Sequence, residues 1–247
     1  MTAAVLHDWI VPDWPAPPAV RSLVTTRAGG TSRGPFAALN LGTRVGDDPA
    51  AVAHNREILR RCLPADPLWL QQVHGAAVVD AESAGVLQRA DGAVARTRHS
   101  VCAVLTADCV PVLLAHRSGE VVGIAHAGWR GLAGGVIEAA LVRMAVPRRE
   151  VIAWLGPGIG PRAYEVGRDV YEAFVAPDAA VAAAFEPQRD GKFRADLYAL
   201  ARRRLAVAGV TAVYGGGFCT YTDSARFYSY RRDQTTGRFA SLIWIDR

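Results

Sequence analysis

Three segments of this chain place a histidine or a cysteine where a predicted hydrophobic strand ends. The residues are His74, Cys109 and His126. If the three strand ends converge, one thiolate and two imidazoles form a three-ligand site with a free fourth position. That ligand count is typical of catalytic zinc sites, whereas structural zinc sites use four protein ligands. Copper accepts the same donors. The sequence therefore predicts one metal centre, with zinc as the expected ion and copper as a possible substitute.

The spacing of the three residues leaves other interpretations open. It matches neither the HExxH nor the CxxC pattern, so spacing alone does not specify a metal site. Two core histidines and a buried cysteine would give the same sequence without any metal. A metal-free hydrolase is a further alternative, with Cys109 as nucleophile and His126 or His74 as base. The remaining histidines are expected at the surface: His7, His54, His99 and His116.

The composition is typical of a folded globular protein. Apolar residues make up 51% and charged residues 21% of the 247 residues. No apolar run approaches the roughly 20 residues that span a bilayer, so we expect no membrane association. Residues 1–19 form an N-terminal lead without the basic start of a signal peptide, which predicts a cytoplasmic location. The net charge of +5 comes from dispersed residues, so no nucleic-acid partner is expected.

The pattern of hydrophobic residues and turns predicts mixed secondary structure. Strands are predicted at 20–26, 67–74, 76–81, 100–107, 110–116, 120–126, 151–155, 211–215 and 239–245. Helices are predicted at 48–62, at 132–144 and, two or three of them, within 167–208, with Asp48 capping the first. Most strands follow one another without a helix, which excludes a doubly wound parallel fold. We predict one α+β domain over residues 1–247, in which strands 100–107 and 120–126 end side by side on one sheet edge.

Several short strings of the sequence resemble the bacterial laccase-domain family. Members of this family are also called polyphenol oxidase, purine nucleoside phosphorylase or peptidoglycan editing factor. The similarity spans roughly residues 20–247, and the string from His126 to Gly131 is specific. The strings are Thr25–Gly30, Asn40–Gly42, Asn55–Arg56, Gln72–Gly75, Thr106–Pro111, His126–Gly131, Gly156–Gly160 and Phe227–Asp233.

The resemblance implies a fold, a metal and an activity. The implied fold is an α-β-β-α sandwich with mixed sheets, and zinc is bound by the matching His74, Cys109 and His126. The implied reactions are phosphorolysis of adenosine, inosine and methylthioadenosine to the free base and ribose 1-phosphate, and deamination of adenosine. Hydrolysis of a peptidoglycan precursor is an alternative. Six histidines without a His-x-His pair cannot build the copper centres of a multicopper oxidase, so phenol oxidation is expected only as a copper-dependent side activity.

Deamination requires a proton carrier beside the metal. Zinc lowers the pKa of bound water to about 7, and nucleobase deaminases pair such a site with an acidic residue. Asp108 is our candidate, because it precedes Cys109. Side chains alternate along an extended strand, so Asp108 would point away from the site unless the chain bends there. A purely structural hydrogen bond is the alternative role.

Phosphorolysis requires an anion site. Arg27, Arg56 and Arg130 are candidates for phosphate contacts, because guanidinium groups bind phosphate oxygens in pairs. The turn Gly128–Gly131 is predicted to open a helix, and helix N-termini also favour phosphate. For each arginine taken alone, a solvated surface position is the favoured interpretation. Asn40 is a candidate for ribose binding, with capping of a turn as the alternative.

Overall fold

The structure is a computed structural model that describes residues 8–83, 85 and 87–246. Residues 1–7, which include His7 and the start of the predicted lead, lie outside the described residues. The strands are β1 (Val20–Val24), β2 (Pro67–Leu68), β3 (Val78–Asp80), β4 (Gly92–Ala95), β5 (Val101–Thr106), β6 (Val110–His116), β7 (Val122–Ala127), β8 (Val151–Leu155), β9 (Glu165–Val166), β10 (Phe185–Pro187), β11 (Phe193–Ala195), β12 (Ala212–Gly215) and β13 (Phe239–Ile245). The α-helices are α1 (Pro49–Arg60), α2 (Trp129–Ala133), α3 (Val136–Met144), α4 (Arg168–Val175), α5 (Leu197–Val207) and α6 (Tyr230–Asp233). None of the helices in these ranges has the length and apolarity to cross a bilayer.

The strands form two large sheets and one small sheet. The first large sheet has six strands in the order β12-β8-β6-β7-β4-β3, and the second has four in the order β1-β13-β5-β2. Both are mixed: β12 pairs parallel with β8, β3 with β4 and β2 with β5, whereas the other pairs are antiparallel. The small sheet is antiparallel, in the order β10-β11-β9.

The two large sheets pack face to face, with helices on their outer faces. Leu113 and Ile124 of the six-stranded sheet meet Val104 and Phe239 of the four-stranded sheet in one apolar core. Helix α3 packs on β7, β4 and β3, and α1 contributes Leu59 to a second core on the outer face of the four-stranded sheet. Burial on both faces explains why β6 and β7 are almost continuously apolar. The predicted α+β fold, an α-β-β-α sandwich with mixed sheets, is therefore confirmed.

The local predictions succeed where a cap or an apolar run dominates. Asp48 caps α1 through a hydrogen bond from the amide of Ala50, as predicted. The single helix predicted at 132–144 is wrong, since Gly134 and Gly135 divide it into α2 and α3 and Gly135 has a φ of 84°. The strand predicted at 67–74 is also wrong beyond Leu68, where the chain leaves the sheet.

The ligand-bearing segments meet by a different route from the predicted one. Strands β5 and β7 do not share a sheet edge; they belong to different sheets and pack against each other. Cys109 directly precedes β6, which runs antiparallel to β7 and places Pro111 opposite His126. The β6–β7 ladder therefore brings Cys109 next to His126. The loop after β2 supplies His74.

Candidate metal centre

His74, Cys109 and His126 converge in the structure. Their ligand atoms all lie within 4.8 Å of one another. The two imidazole rings have centroids 4.8 Å apart and planes inclined by 65°. Across the described ranges, this is the one group of three or more His, Cys, Asp or Glu side chains close enough to hold a metal ion. The predicted trio is thus brought together from three separate segments.

Gly128 leaves the space that the cysteine sulfur occupies. A Cβ atom at position 128 would lie 2.6 Å from Sγ of Cys109 and 3.4 Å from Cδ2 of His74. A contact of 2.6 Å is shorter than real Cβ atoms make. The sequence therefore needs glycine directly after β7 for the thiol to reach the two histidines. The soft donor set and this close approach both fit zinc or copper with an open coordination position.

Asp91 connects the two candidate histidine ligands, and no pattern in the sequence indicated this role. The amides of Val73, His74 and Gly75 donate to its carboxylate at 3.1, 2.9 and 2.7 Å. Its Oδ1 also lies 2.8 Å from Nδ1 of His126. Burial by itself would raise the pKa of Asp91, but the hydrogen bonds from His126 and these amides lower it below its usual value. A carboxylate bonded to one ring nitrogen leaves the other nitrogen of His126 to face a metal.

Gln72 attaches the same loop to the other sheet. Its amide nitrogen donates to the carbonyl of Leu105 at 2.8 Å, and its amide oxygen accepts from the Leu105 N–H at 2.8 Å. These two reciprocal hydrogen bonds resemble those between paired strands, although they come from the Gln72 side chain and β2 does not extend to this residue. His74 has a φ of 59°, a left-handed conformation that explains why the predicted strand cannot run through it. Both sheets therefore fix the position of His74.

The charges of the cluster influence one another. Burial would raise the pKa of the Cys109 thiol, but the charges and hydrogen bonds of His126 and His74 bring it down to about 6. Burial would lower the pKa of His126, yet Cys109 and Asp91 raise it to about 9. The protein groups by themselves thus favour a thiolate beside an imidazolium. A thiolate is the form of cysteine that binds metals.

The cluster borders a cavity of about 680 Å³. That volume is in the range of small-molecule sites. Among the described residues that line it, Asp108 is the one acidic side chain. The basic side chains of its wall are Arg44, Arg56, Arg130, Arg231 and Arg238. The side chains of the wall therefore carry a net positive charge, which attracts anions.

Two of the three predicted phosphate-binding arginines line this cavity. The guanidinium of Arg56 lies 4.1 Å from the ring centroid of Trp69, and its Nε donates to a main-chain carbonyl. Burial lowers the pKa of Arg56 to about 10, which leaves it cationic at neutral pH. Arg130 is exposed and lies 4.3 Å over the ring of Trp129. It belongs to α2, which begins at Trp129, and not to a helix that starts at Leu132.

The structure does not bring Arg27 or Asn40 to the cavity wall. The Arg27 side chain donates to two main-chain carbonyls elsewhere. Asn40 is fully buried, and its amide nitrogen donates to the carbonyl of Gly42 and to Asp47. Its amide oxygen accepts from the N–H groups of Gly42 and Arg238. These bonds match the turn-capping alternative for Asn40 and leave no free donor or acceptor pair for a ribose.

Asp108 lies in the cavity wall at a bend in the chain. Its φ of 101° supplies the bend that a position inside the site requires. Its Oδ1 accepts from the hydroxyl of Thr220 and its Oδ2 from the amide of Arg231, each at 2.6 Å. Both oxygens thus hold neighbouring segments in place, as the structural alternative expects. The role of Asp108 as a proton carrier stays a prediction.

Fold and donor set together define a mixed-sheet sandwich with one candidate mononuclear metal centre in a basic cavity. The family model described as "Multi-copper polyphenol oxidoreductase laccase" matches residues 21–246. The chain therefore belongs to this laccase-like family, as its sequence strings predicted.

Relatives and solved structures agree with this assignment. A Pseudomonas aeruginosa protein named purine nucleoside phosphorylase is 55% identical over 97% of this chain and 99% of its own length. The Escherichia coli K12 protein named purine nucleoside phosphorylase YfiH is 50% identical over 96% of this chain and 98% of its own. A crystal structure of a Neisseria meningitidis protein of the DUF152 family is 51% identical, with a TM-score of 0.94, and covers 97% of this chain and 100% of its own.

The histidines do not support several copper centres of the kind that the family description names. His54 and His99 are exposed, and His116 is half-buried with its Nδ1 2.7 Å from the hydroxyl of Ser118. None of them belongs to the metal-ligand group found in the described part of the chain. The metal-ligand side chains that the described residues bring together are therefore sufficient for one metal ion.

Proposed function

We propose that this protein is a zinc-dependent purine nucleoside phosphorylase that also deaminates adenosine. Its substrates would be adenosine, inosine and methylthioadenosine, which phosphate converts to the free base and a pentose 1-phosphate. The observation that carries the proposal is the convergence of three metal-ligand side chains in an arginine-lined cavity of about 680 Å³. Relatives that are 50–55% identical bear the name purine nucleoside phosphorylase, which supports it.

His74, Cys109 and His126 would hold the ion. One thiolate and two imidazoles suit zinc, and copper competes for the same donors with higher affinity. When bound, zinc supplies a Lewis acid that stabilises negative charge and activates water. Asp91 fixes the orientation of His126 and the loop of His74, so the protein preorganises the donors. Polyphenol oxidation would be a side activity of copper-loaded protein.

The arginines of the wall would bind phosphate and hold it against the nucleoside. Arg56 and Arg130 are each stacked on a tryptophan, which restricts their side chains before any ligand arrives. In phosphorolysis a phosphate oxygen bonds to C1′ of the ribose while the bond from C1′ to the purine breaks and its electron pair leaves with the base. Fixed guanidinium groups favour this step by positioning the attacking anion.

A metal-free thiol hydrolase is a second candidate, since Cys109 and His126 already form an activated pair. Such an enzyme would act on a peptidoglycan precursor or another small amide or ester. The two candidates differ in their need for metal and phosphate.

The remaining proposals are a single catalytic domain over residues 1–247, a cytoplasmic location, and small-molecule partners with neither nucleic acid nor membrane among them.

A nucleoside panel tests the proposal. Zinc-loaded protein is incubated with adenosine, inosine and methylthioadenosine, with and without phosphate, and free base and inosine are quantified. Phosphate-dependent release of base that disappears in His126→Ala and Cys109→Ser is the expected result, and Cys62→Ser serves as the matched cysteine control. Nucleosides that stay intact under all these conditions, together with hydrolysis of a p-nitrophenyl ester by metal-free wild type but not by Cys109→Ser, would instead support the thiol hydrolase.

A further inference from the structure

Three tyrosines of the described chain are more than nine-tenths buried: Tyr164, Tyr198 and Tyr228. The hydroxyl of Tyr228 donates to the carbonyl of Phe36 at 2.7 Å. The hydroxyl of Tyr198 accepts from the amide of Gly158 at 2.7 Å and lies near further carbonyls. Buried tyrosine hydroxyls usually find such partners. The buried hydroxyls of Tyr198 and Tyr228 therefore have main-chain hydrogen-bond partners.

Tyr164 differs, because no described residue offers its hydroxyl a hydrogen bond. Its side chain is 8% exposed and forms part of the wall of the cavity at the metal centre. The hydroxyl is not among the described side-chain polar atoms that are shielded from solvent and lack a hydrogen-bond partner. It therefore meets the open space of the cavity, where a ligand can accept its proton in a hydrogen bond.

Tyr164 lies in a part of the cavity wall that also carries arginine side chains. The guanidinium carbon of Arg231 lies 5.0 Å from the centre of the Tyr164 ring. Arg231 is anchored at both ends, since its amide donates to Asp108 and its guanidinium to the carbonyl of Glu165. Besides burial, the thiol of Cys109 and the carboxylate of Asp108 raise the pKa of the Tyr164 hydroxyl, whereas Arg231 and Arg130 lower it. Tyr164 thus lines the same cavity as the thiol of Cys109, the carboxylate of Asp108 and two cations, Arg130 and Arg231.

We propose that the Tyr164 hydroxyl donates a hydrogen bond to an oxygen of phosphate bound in this cavity, beside Arg130 and Arg231. The proposal rests on the proposed phosphorolytic function and adds a residue that no sequence pattern indicated. A phenol ordinarily ionises near pH 10, and burial raises the pKa of Tyr164 further, so the group is a donor throughout the neutral range. A neutral donor in a cationic site favours an oxyanion without repelling the arginines.

Isothermal titration of inorganic phosphate into zinc-loaded protein tests this contact without any turnover. Tyr164→Phe keeps the ring and removes only the hydroxyl, and we expect it to bind phosphate roughly tenfold or more weakly than the wild type, with unchanged zinc content. Its melting temperature should stay close to that of the wild type, because the hydroxyl has no protein partner. Tyr228→Phe is the matched control: it loses a buried hydrogen bond to Phe36, so it should melt lower and bind phosphate normally.

The outcomes separate the two proposals. Wild-type affinity for phosphate in Tyr164→Phe overturns the contact, and so does a failure of this variant to fold, which would show that the hydroxyl supports the structure. Phosphate binding that weakens in Tyr164→Phe, in a wild type that cleaves no nucleoside, would retain the contact and refute phosphorolysis. A wild type that binds no phosphate would refute both.

Discussion

Oδ1 of Asp91 lies 2.8 Å from Nδ1 of His126, and the same carboxylate accepts the amide of His74. One buried carboxylate therefore positions two candidate metal ligands that are far apart in the sequence. It does so from the residue before β4, where the main-chain carbonyl of Asp91 also accepts the amide of His126 at 2.7 Å. The candidate metal centre and strands β4 and β7 of the six-stranded sheet are thus one hydrogen-bonded unit.

Replacing Asp91 with asparagine should weaken metal binding while the protein still folds. The amide group cannot accept from three main-chain N–H groups and the imidazole at once, so the loop of His74 loses its fixed position. Loss of such a supporting carboxylate typically costs 10–100-fold in metal affinity. Competition against a chromophoric zinc chelator measures the effect. Asp66→Asn, at an exposed surface ion pair, is the control and should match the wild type. Unchanged zinc affinity in Asp91→Asn would contradict the positioning role.

Gly128→Ala should block the metal centre by sterics. The backbone at Gly128 has a φ of −73°, which alanine adopts freely, so only the added methyl group matters. That methyl would stand 2.6 Å from Sγ of Cys109 and displace the thiol from the histidines. We expect a large loss of bound zinc, measured by elemental analysis after gel filtration. Gly217→Ala, where a Cβ meets nothing within 4 Å, should retain full zinc content. A fully loaded Gly128→Ala protein would show that the thiol is not a ligand.

Arg130→Gln should raise the KM for phosphate about tenfold or more, because hydrogen bonds to charged groups contribute on the order of 1.5–3 kcal/mol. The dependence of KM on salt should also become weaker, since one cation of the cavity is lost. Initial rates at several phosphate and salt concentrations provide both values. Arg149→Gln removes a similar charge from the exposed turn before β8 and should leave both values unchanged. Equal KM values for Arg130→Gln and the wild type would place the phosphate elsewhere.

Asn40→Ala should destabilise the protein rather than change ligand binding. The substitution leaves the buried amide of Gly42 and the half-buried amide of Arg238 without their acceptor, and a buried group without its partner costs about 1–3 kcal/mol. We expect urea unfolding to show a loss of this order in the free energy of unfolding. The KM for nucleoside should stay the same at temperatures where the variant is folded. A raised KM with wild-type stability would support the ribose contact instead.

The sequence by itself determined the chemistry of the donors and several local elements. A cysteine and two histidines can be interpreted as metal ligands wherever they lie, because donor preference is a property of the side chain. Asp48 followed by Pro49 determined the start of α1, since capping depends only on adjacent residues. The apolar runs of β6 and β7 likewise identified buried strands, because burial on both faces requires apolar residues throughout.

Only the tertiary structure decided how these residues meet. Asp91 reads as an isolated acidic residue before a short strand, and its role depends on contacts with residues 73–75 and His126 that no local pattern encodes. Tyr164 and most arginines of the cavity come from segments that converge through sheet pairing, so the positive wall is not visible in the dispersed charges of the chain. Arg27 and Asn40 were predicted to bind ligand, but hydrogen bonds to main-chain groups far away in the sequence engage their side chains elsewhere. Local sequence sets what each group can bind, whereas long-range packing sets which groups share a ligand.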